Sequence, residues 1–129
     1  MKILVLNPAS KFSKNVVRDV LYGCWCKGKR IGGGTVPPFT LLSIATVLKQ
    51  SGFNIEFLDA AAIQMPYNNL QEFAGKFDIV IISTSTMSFI EDTSILHDFK
   101  IKNPCLKTII FGSHPTFMPD AALSHESVD

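Results

Sequence analysis

Phe77-Asp78-Ile79-Val80-Ile81-Ile82-Ser83-Thr84-Ser85-Thr86-Met87 decides the fold. A short run of branched apolar residues, without polar alternation, ends abruptly in four hydroxyl side chains. Such a run fits a strand covered on both faces, as in a parallel sheet. Residues 2–6, 54–59 and 107–111 have the same character. Helical patterns lie between these runs. Leu41, Ile44, Ala45 and Leu48 make one apolar stripe after Pro37-Pro38, and Gly52 supplies the left-handed residue that ends the helix. Ser88 and Glu91 stand at capping-box spacing, opening a helix that turns Phe89, Leu96 and Phe99 inward and stops near Asn103-Pro104. Shorter helices are expected over 67–75 and 119–125.

Strands alternating with helices specify an α/β fold, a three-layer doubly wound parallel sheet with right-handed crossovers. Four strands, with Val128-Asp129 reading as the start of a fifth, suit a flavodoxin-like order 2-1-3-4-5. Ligands of such sheets bind beyond the carboxyl ends of the strands, where strand order reverses between the first and third. The facing loops are Asn7-Pro8-Ala9-Ser10, Ser83-Thr84-Ser85-Thr86-Met87 and Gly112-Ser113-His114-Pro115-Thr116.

The 129 residues fit one domain, 1–129, and 47% hydrophobic against 18% charged residues fits a folded globule. No apolar run reaches the ~18–20 residues of a membrane span. The opening Met1–Leu6 is too short for a signal peptide, so a cytoplasmic protein is expected. Cys24, Cys26 and Cys105 match neither a disulfide framework nor a zinc or redox spacing, and read as ordinary thiols. The net charge of +1 hides an asymmetry: residues 1–38 hold seven Lys/Arg against Asp19, and the remainder five against ten acids. Much of that basic charge falls in a loop, 7–38, far longer than the ~15 residues that compact domains tolerate without structure. Helical turns are expected within Asn15–Tyr22, and the loop as a whole suits a lid, a docking surface or a phosphate contact. No aromatic stripe accompanies the charge, which argues against nucleic acid.

Several chemistries are excluded by their own requirements. Gly23–Arg30 approaches the P-loop pattern, but Arg30 replaces the hydroxyl that must meet magnesium and no strand precedes it. The turn after the first strand has no glycine, unlike the dinucleotide fingerprint. Ser83 stands where a phospho-acceptor domain needs an acid. His97, His114 and His125 lack metal spacing, and only His114 lies at the ligand edge. No catalytic or metal-ligating residue is assigned.

In order and spacing these segments resemble the N-terminal cobalamin-binding domain of radical S-adenosylmethionine proteins. Met1–Pro8 is similar to that family's opening strand and Asn-Pro turn. Pro37–Leu42, continuing to Leu48, Gly52 and Leu58-Asp59, resembles its Pro-Pro helix and second strand. Asp78–Ser83 resembles its third strand, and Gly112–Thr116 with Pro119 its Gly-Gly-x-His-Pro-Thr loop, Ser113 replacing the second glycine. The resemblance implies a cobalamin site at Asn7, Pro8, Ser83, Thr84, Ser85, Gly112, Ser113, His114 and Thr116, with the nucleotide tail near Ser83, Ser85 and Gly112. The Asp-x-His-x-x-Gly motif of methionine synthase-like domains is absent, implying a cobalt lower face without a protein histidine. The family's cluster motif, C-x-x-x-C-x-x-C, is also absent. The resemblance therefore implies a chain truncated from a longer protein, whose C-terminal radical domain is its partner and holds the iron–sulfur cluster and S-adenosylmethionine. Two other readings stand beside it: a flavodoxin-like binder of a flavin or nucleotide, using Ser83–Thr86, and a non-catalytic docking domain using the basic loop.

Overall fold

A computed structural model describes residues 1–11, 18 and 37–129, with the backbone of 15–16 and 25–26. In chain order the elements are β1 (Lys2–Asn7), β2 (Asn15–Val16), β3 (Trp25–Cys26), α1 (Phe39–Gln50), β4 (Asn54–Asp59), α2 (Tyr67–Ala74), β5 (Ile79–Ser83), α3 (Phe89–Lys102), β6 (Lys107–Phe111), α4 (Ser113–Phe117) and α5 (Pro119–Leu123). Four strands form one parallel sheet in the order β4-β1-β5-β6, which is 2-1-3-4 of the expected arrangement. In the fifth position the described residues hold no strand; there Asp129 donates its N–H to Thr108 O at 3.1 Å, and its carboxylate accepts from Thr108 and Lys107. The helical turns expected within Asn15–Tyr22 are corrected at their start, where Asn15-Val16 pairs antiparallel with Trp25-Cys26. Residues 12–14, 17, 19–24 and 27–36 of the basic loop lie outside the described residues.

The pleat of β1 divides the interior. Ile3 and Val5 pack with Leu41 and Ala45 of α1 and with Ile81. Leu4 and Leu6 face the other way, into Leu70 and Ala74 of α2, Ile95, Leu96 and Phe99 of α3, and Val80 and Ile82. Three layers result, with α1 on one face and α2 and α3 on the other. The unbroken apolar runs of the sequence follow from this, because both faces of each inner strand are covered. Gly52 ends α1 at φ +85°, as expected.

Two local expectations fail for physical reasons. Gly112–Thr116, read as a loop, winds into α4, with Thr116 N–H and Met118 N–H returning to Gly112 O and His114 O. The capping box does not form. Ser88 Oγ accepts from Ser85 N–H at 3.1 Å, and the Glu91 carboxylate turns away to Ser10 Oγ (2.7 Å) and Lys11 N–H. These side chains found stronger uses than their own helix end.

Gly112 is fixed by its neighbour. It sits at φ +122°, and a Cβ there would lie 2.2 Å from the carbonyl oxygen of Thr84. Thr84 N–H in turn donates to Phe111 O at 2.8 Å, so the two strand ends interlock. On the opposite side, Tyr67 OH donates to Asp98, whose carboxylate also pairs with Lys11 Nζ at 2.7 Å, while that ammonium lies 4.3 Å from the Tyr67 ring centroid. Burial, then the Asp98 hydrogen bond and charge, push the Tyr67 phenol well above its ordinary 10.0. At Asp98 burial opposes ionisation, but the Lys11 and Tyr67 hydrogen bonds prevail and hold its carboxyl below the usual range.

Phe99→Ala, at a fully buried position, is expected to cost about 3–5 kcal/mol in urea unfolding, against less than about 0.5 kcal/mol for the exposed Val47→Ala. Gly112→Ala is expected to lose at least about 2 kcal/mol, since it meets both a forbidden backbone region and the Thr84 carbonyl. The raised Tyr67 pKa contributes stability fully below pH 10, lost as pH climbs above it. Thermal midpoints followed from pH 8 to 11 should fall more steeply for the native chain than for Tyr67→Phe.

Candidate functional site

Residues expected to hold a ligand do gather at one edge, the carboxyl ends of β1, β5 and β6. Asn7 closes β1 and is buried, its Nδ2 donating to Asp59 Oδ1 at 2.8 Å and its carbonyl accepting from Ala60 and Ala61. Pro8 beside it is also buried. Ser83, Thr84 and Ser85 are buried too, and their hydroxyls turn to the protein itself. Ser83 Oγ lies 3.5 Å from Arg18 O, Thr84 Oγ1 3.5 Å from Ser85 O, and Ser85 Oγ 3.1 Å from Ser88 Oγ. Outward from these, Thr86 and Met87 are exposed.

The α4 segment divides the same way. Ser113 is half-buried and Thr116 exposed, its Oγ1 donating back to Gly112 O at 2.8 Å. His114 points inward. Its ring stacks on Phe89 with centroids 3.9 Å apart and planes 25° from parallel, and neither ring nitrogen has a hydrogen-bond partner. The histidine singled out by position is thus a packing residue between α4 and the first turn of α3. His125 approaches the same Phe89 edge-on at 6.0 Å, and His97 lies apart, paired with Glu126. A Cβ at 112 would meet the Thr84 carbonyl.

Three large apolar side chains in the segments that follow β5 and β6 are exposed. Met87, Phe117 and Met118 are 65%, 83% and 51% exposed, with Thr86, Ser113 and Thr116 beside them in sequence. Among the described residues no group of His, Cys, Asp and Glu could hold a metal ion, and no helix is long and apolar enough to cross a membrane.

Arg18 was not foreseen at this edge. Its guanidinium is buried between the end of β1 and the first turn of α3. Nε donates to Asp92 Oδ1 at 2.8 Å, and Nη1 donates to Pro8 O at 2.9 Å. Nη2 lies 2.8 Å from the same Asp92 oxygen without the alignment of a hydrogen bond, and Asp92 Oδ2 has no partner. Nothing in the sequence around residue 18 marks it, since its partners are 74 and 10 positions away. The acid pair Glu91-Asp92 is the only local signal: two adjacent carboxylates in a helix's first turn, both directed into protein.

Comparison with known proteins bears on the ligand. No curated protein and no solved structure matches the chain. The family model of the B12 binding domain matches residues 32–129, which takes in α1, the parallel sheet from β4 onward and the Gly112–Thr116 segment. A match over most of the chain, on a sheet of the order such a domain needs, has one reading: the chain belongs to the B12-binding domain family.

Proposed function

We propose that this domain holds and orients cobalamin for a radical S-adenosylmethionine enzyme of the cytoplasm, whose chemistry is done by a further, C-terminal domain. The family supports the cofactor; the motifs from Met1–Pro8 to Gly112–Thr116 support the parent enzyme. The observation that carries the reading is the surface at the carboxyl edge. Met87, Phe117 and Met118 are exposed apolar side chains in the segments that follow β5 and β6, with hydroxyls of Thr86 and Thr116 close by in the chain. That chemistry fits a wide, flat macrocycle with a polar rim better than a small charged ligand. Asn7, Pro8, Ser83, Thr84, Ser85, Gly112, Ser113, His114 and Thr116 form or support this edge. The buried ones act through backbone shape, and Ser113 and Thr116 through side chains.

When bound, cobalamin supplies a cobalt centre for methyl transfer or electron relay. The protein's share is binding, orientation and exclusion of water. The loop after β1 contains no histidine, so it would offer the cofactor none. The partner radical domain forms the opposite wall, bringing the iron–sulfur cluster and S-adenosylmethionine.

The test is retention after desalting. Mixed with hydroxocobalamin, the domain should carry corrin absorbance through the column; mixed with flavin mononucleotide, it should carry none. Phe117→Asp, at an 83% exposed position, should lose most of the corrin while its stability stays within about 0.5 kcal/mol. Retained flavin without corrin would favour the flavodoxin-like reading. Retention of neither would favour a docking module. The radical assignment has its own check: absence of C-x-x-x-C-x-x-C from the domain encoded after Asp129 would sink it.

A further inference from the structure

The helices that follow β1 and β5 lie on opposite faces of the sheet, α1 on one and α3 on the other. The chain therefore parts beyond these two neighbouring strands. The crevice so opened is where ligands of open α/β sheets enter. Here it is filled from within. The Arg18 guanidinium, with a side chain only 2% exposed, touches Pro8 O and Asn7 at the end of β1 and Asp92 on the first turn of α3. Its own carbonyl lies 3.5 Å from Ser83 Oγ at the end of β5. One residue spans the gap.

Two details separate this filling from an ordinary structural ion pair. Arg18 Nη2 has no aligned acceptor and Asp92 Oδ2 has no donor, although both are buried. A guanidinium shut away from water is stable only when its donors are matched, and so is a carboxylate. This pair is incompletely matched on both sides. It is held less firmly than a satisfied network, and a polar group arriving in the crevice would find a donor and an acceptor ready.

We propose that Arg18 is a displaceable plug of the ligand crevice, and that it controls access of the cofactor's polar tail to the gap between β1 and β5. The proposal rests on the cobalamin reading above and deepens it. In the closed arrangement only the outer edge is available. Withdrawal of Arg18 opens the crevice beside Ser83 and leaves Asp92 as an acceptor for N–H or O–H donors of the tail. Only the fraction of molecules with Arg18 withdrawn binds fully, and the apparent affinity is reduced by that fraction.

Stopped-flow absorbance with hydroxocobalamin tests this. For the native chain, a plug in equilibrium with an open form lowers the association rate constant by the open fraction, so the deciding comparison is with chains that lack the plug. Arg18→Ala with Asp92→Asn empties the crevice without stranding a buried charge. Far-UV circular dichroism and the thermal midpoint check that it folds. This variant should associate at least about tenfold faster than the native chain. Arg18→Met with Asp92→Asn, which refills the space, should stay near the native rate. Equal or slower association by the folded alanine variant overturns the plug and leaves cobalamin binding standing. If neither native chain nor variant binds, the cobalamin reading fails and the plug with it. Binding by the variant alone supports both.

Discussion

Everything in this domain hangs on the double use of β1. It is hydrogen-bonded along both edges, to β4 on one side and β5 on the other, in register from Lys2 to Asn7 and from Ile3 to Leu6. Its side chains are also buried on both faces, Ile3 and Val5 against α1, Leu4 and Leu6 against α2 and α3. A strand so enclosed has no freedom of register, because a shift by one residue would exchange the two cores. The carboxyl edge inherits that rigidity. Asn7 and Pro8 are fixed because four buried residues, Ile3 to Leu6, precede them, and Ser83 is fixed because β5 is locked to β1 and β6 together.

From that rigid floor the loops are held by charge rather than by turn chemistry. Glu91 and Asp92 stand side by side at the start of α3, and each holds part of the segment after β1. Glu91 takes Ser10 and the Lys11 amide, while Asp92 takes Arg18 and through it Pro8. A helix N-terminus is a favourable place for two acids. Here they serve the helix dipole and the neighbouring loop at once. Asp98, about two turns further along, binds both Lys11 and Tyr67, so α2, α3 and the root of the loop share one set of polar contacts.

The sheet and its helices were legible because burial on both faces writes itself into composition. Residues 2–6, 54–59, 77–83 and 107–111 fall on the four strands, and the stripe from Leu41 to Leu48 marks α1. Three things were hidden. The winding of Ser113–Phe117 into a helix is set by the carbonyls of Gly112 and His114 acting over a single turn, where a proline at 115 reads as loop. The Ser88–Glu91 spacing promised a capping box, but long-range partners, Ser85 aside, outbid the local ones. Arg18 lay in a stretch with no periodicity, and its role depends on an acid 74 residues away. Of the candidate site, position was readable and orientation was not. The sequence placed Ser83–Ser85 and His114 at the carboxyl edge of the sheet, where they lie, but whether a side chain points out or in is decided by tertiary neighbours such as Phe89.

The stack of His114 on Phe89 has a mechanical consequence. Hydrogen bonds break when their atoms move sideways by an ångström, because they are directional. Two parallel rings hold each other mainly by dispersion and apolar burial, which change little as one slides over the other. With no hydrogen bond on either nitrogen, His114 is a lubricated bearing between α4 and the first turn of α3. At this contact α4 is tied to α3 by shape and burial alone, with no directional bond to fix its position.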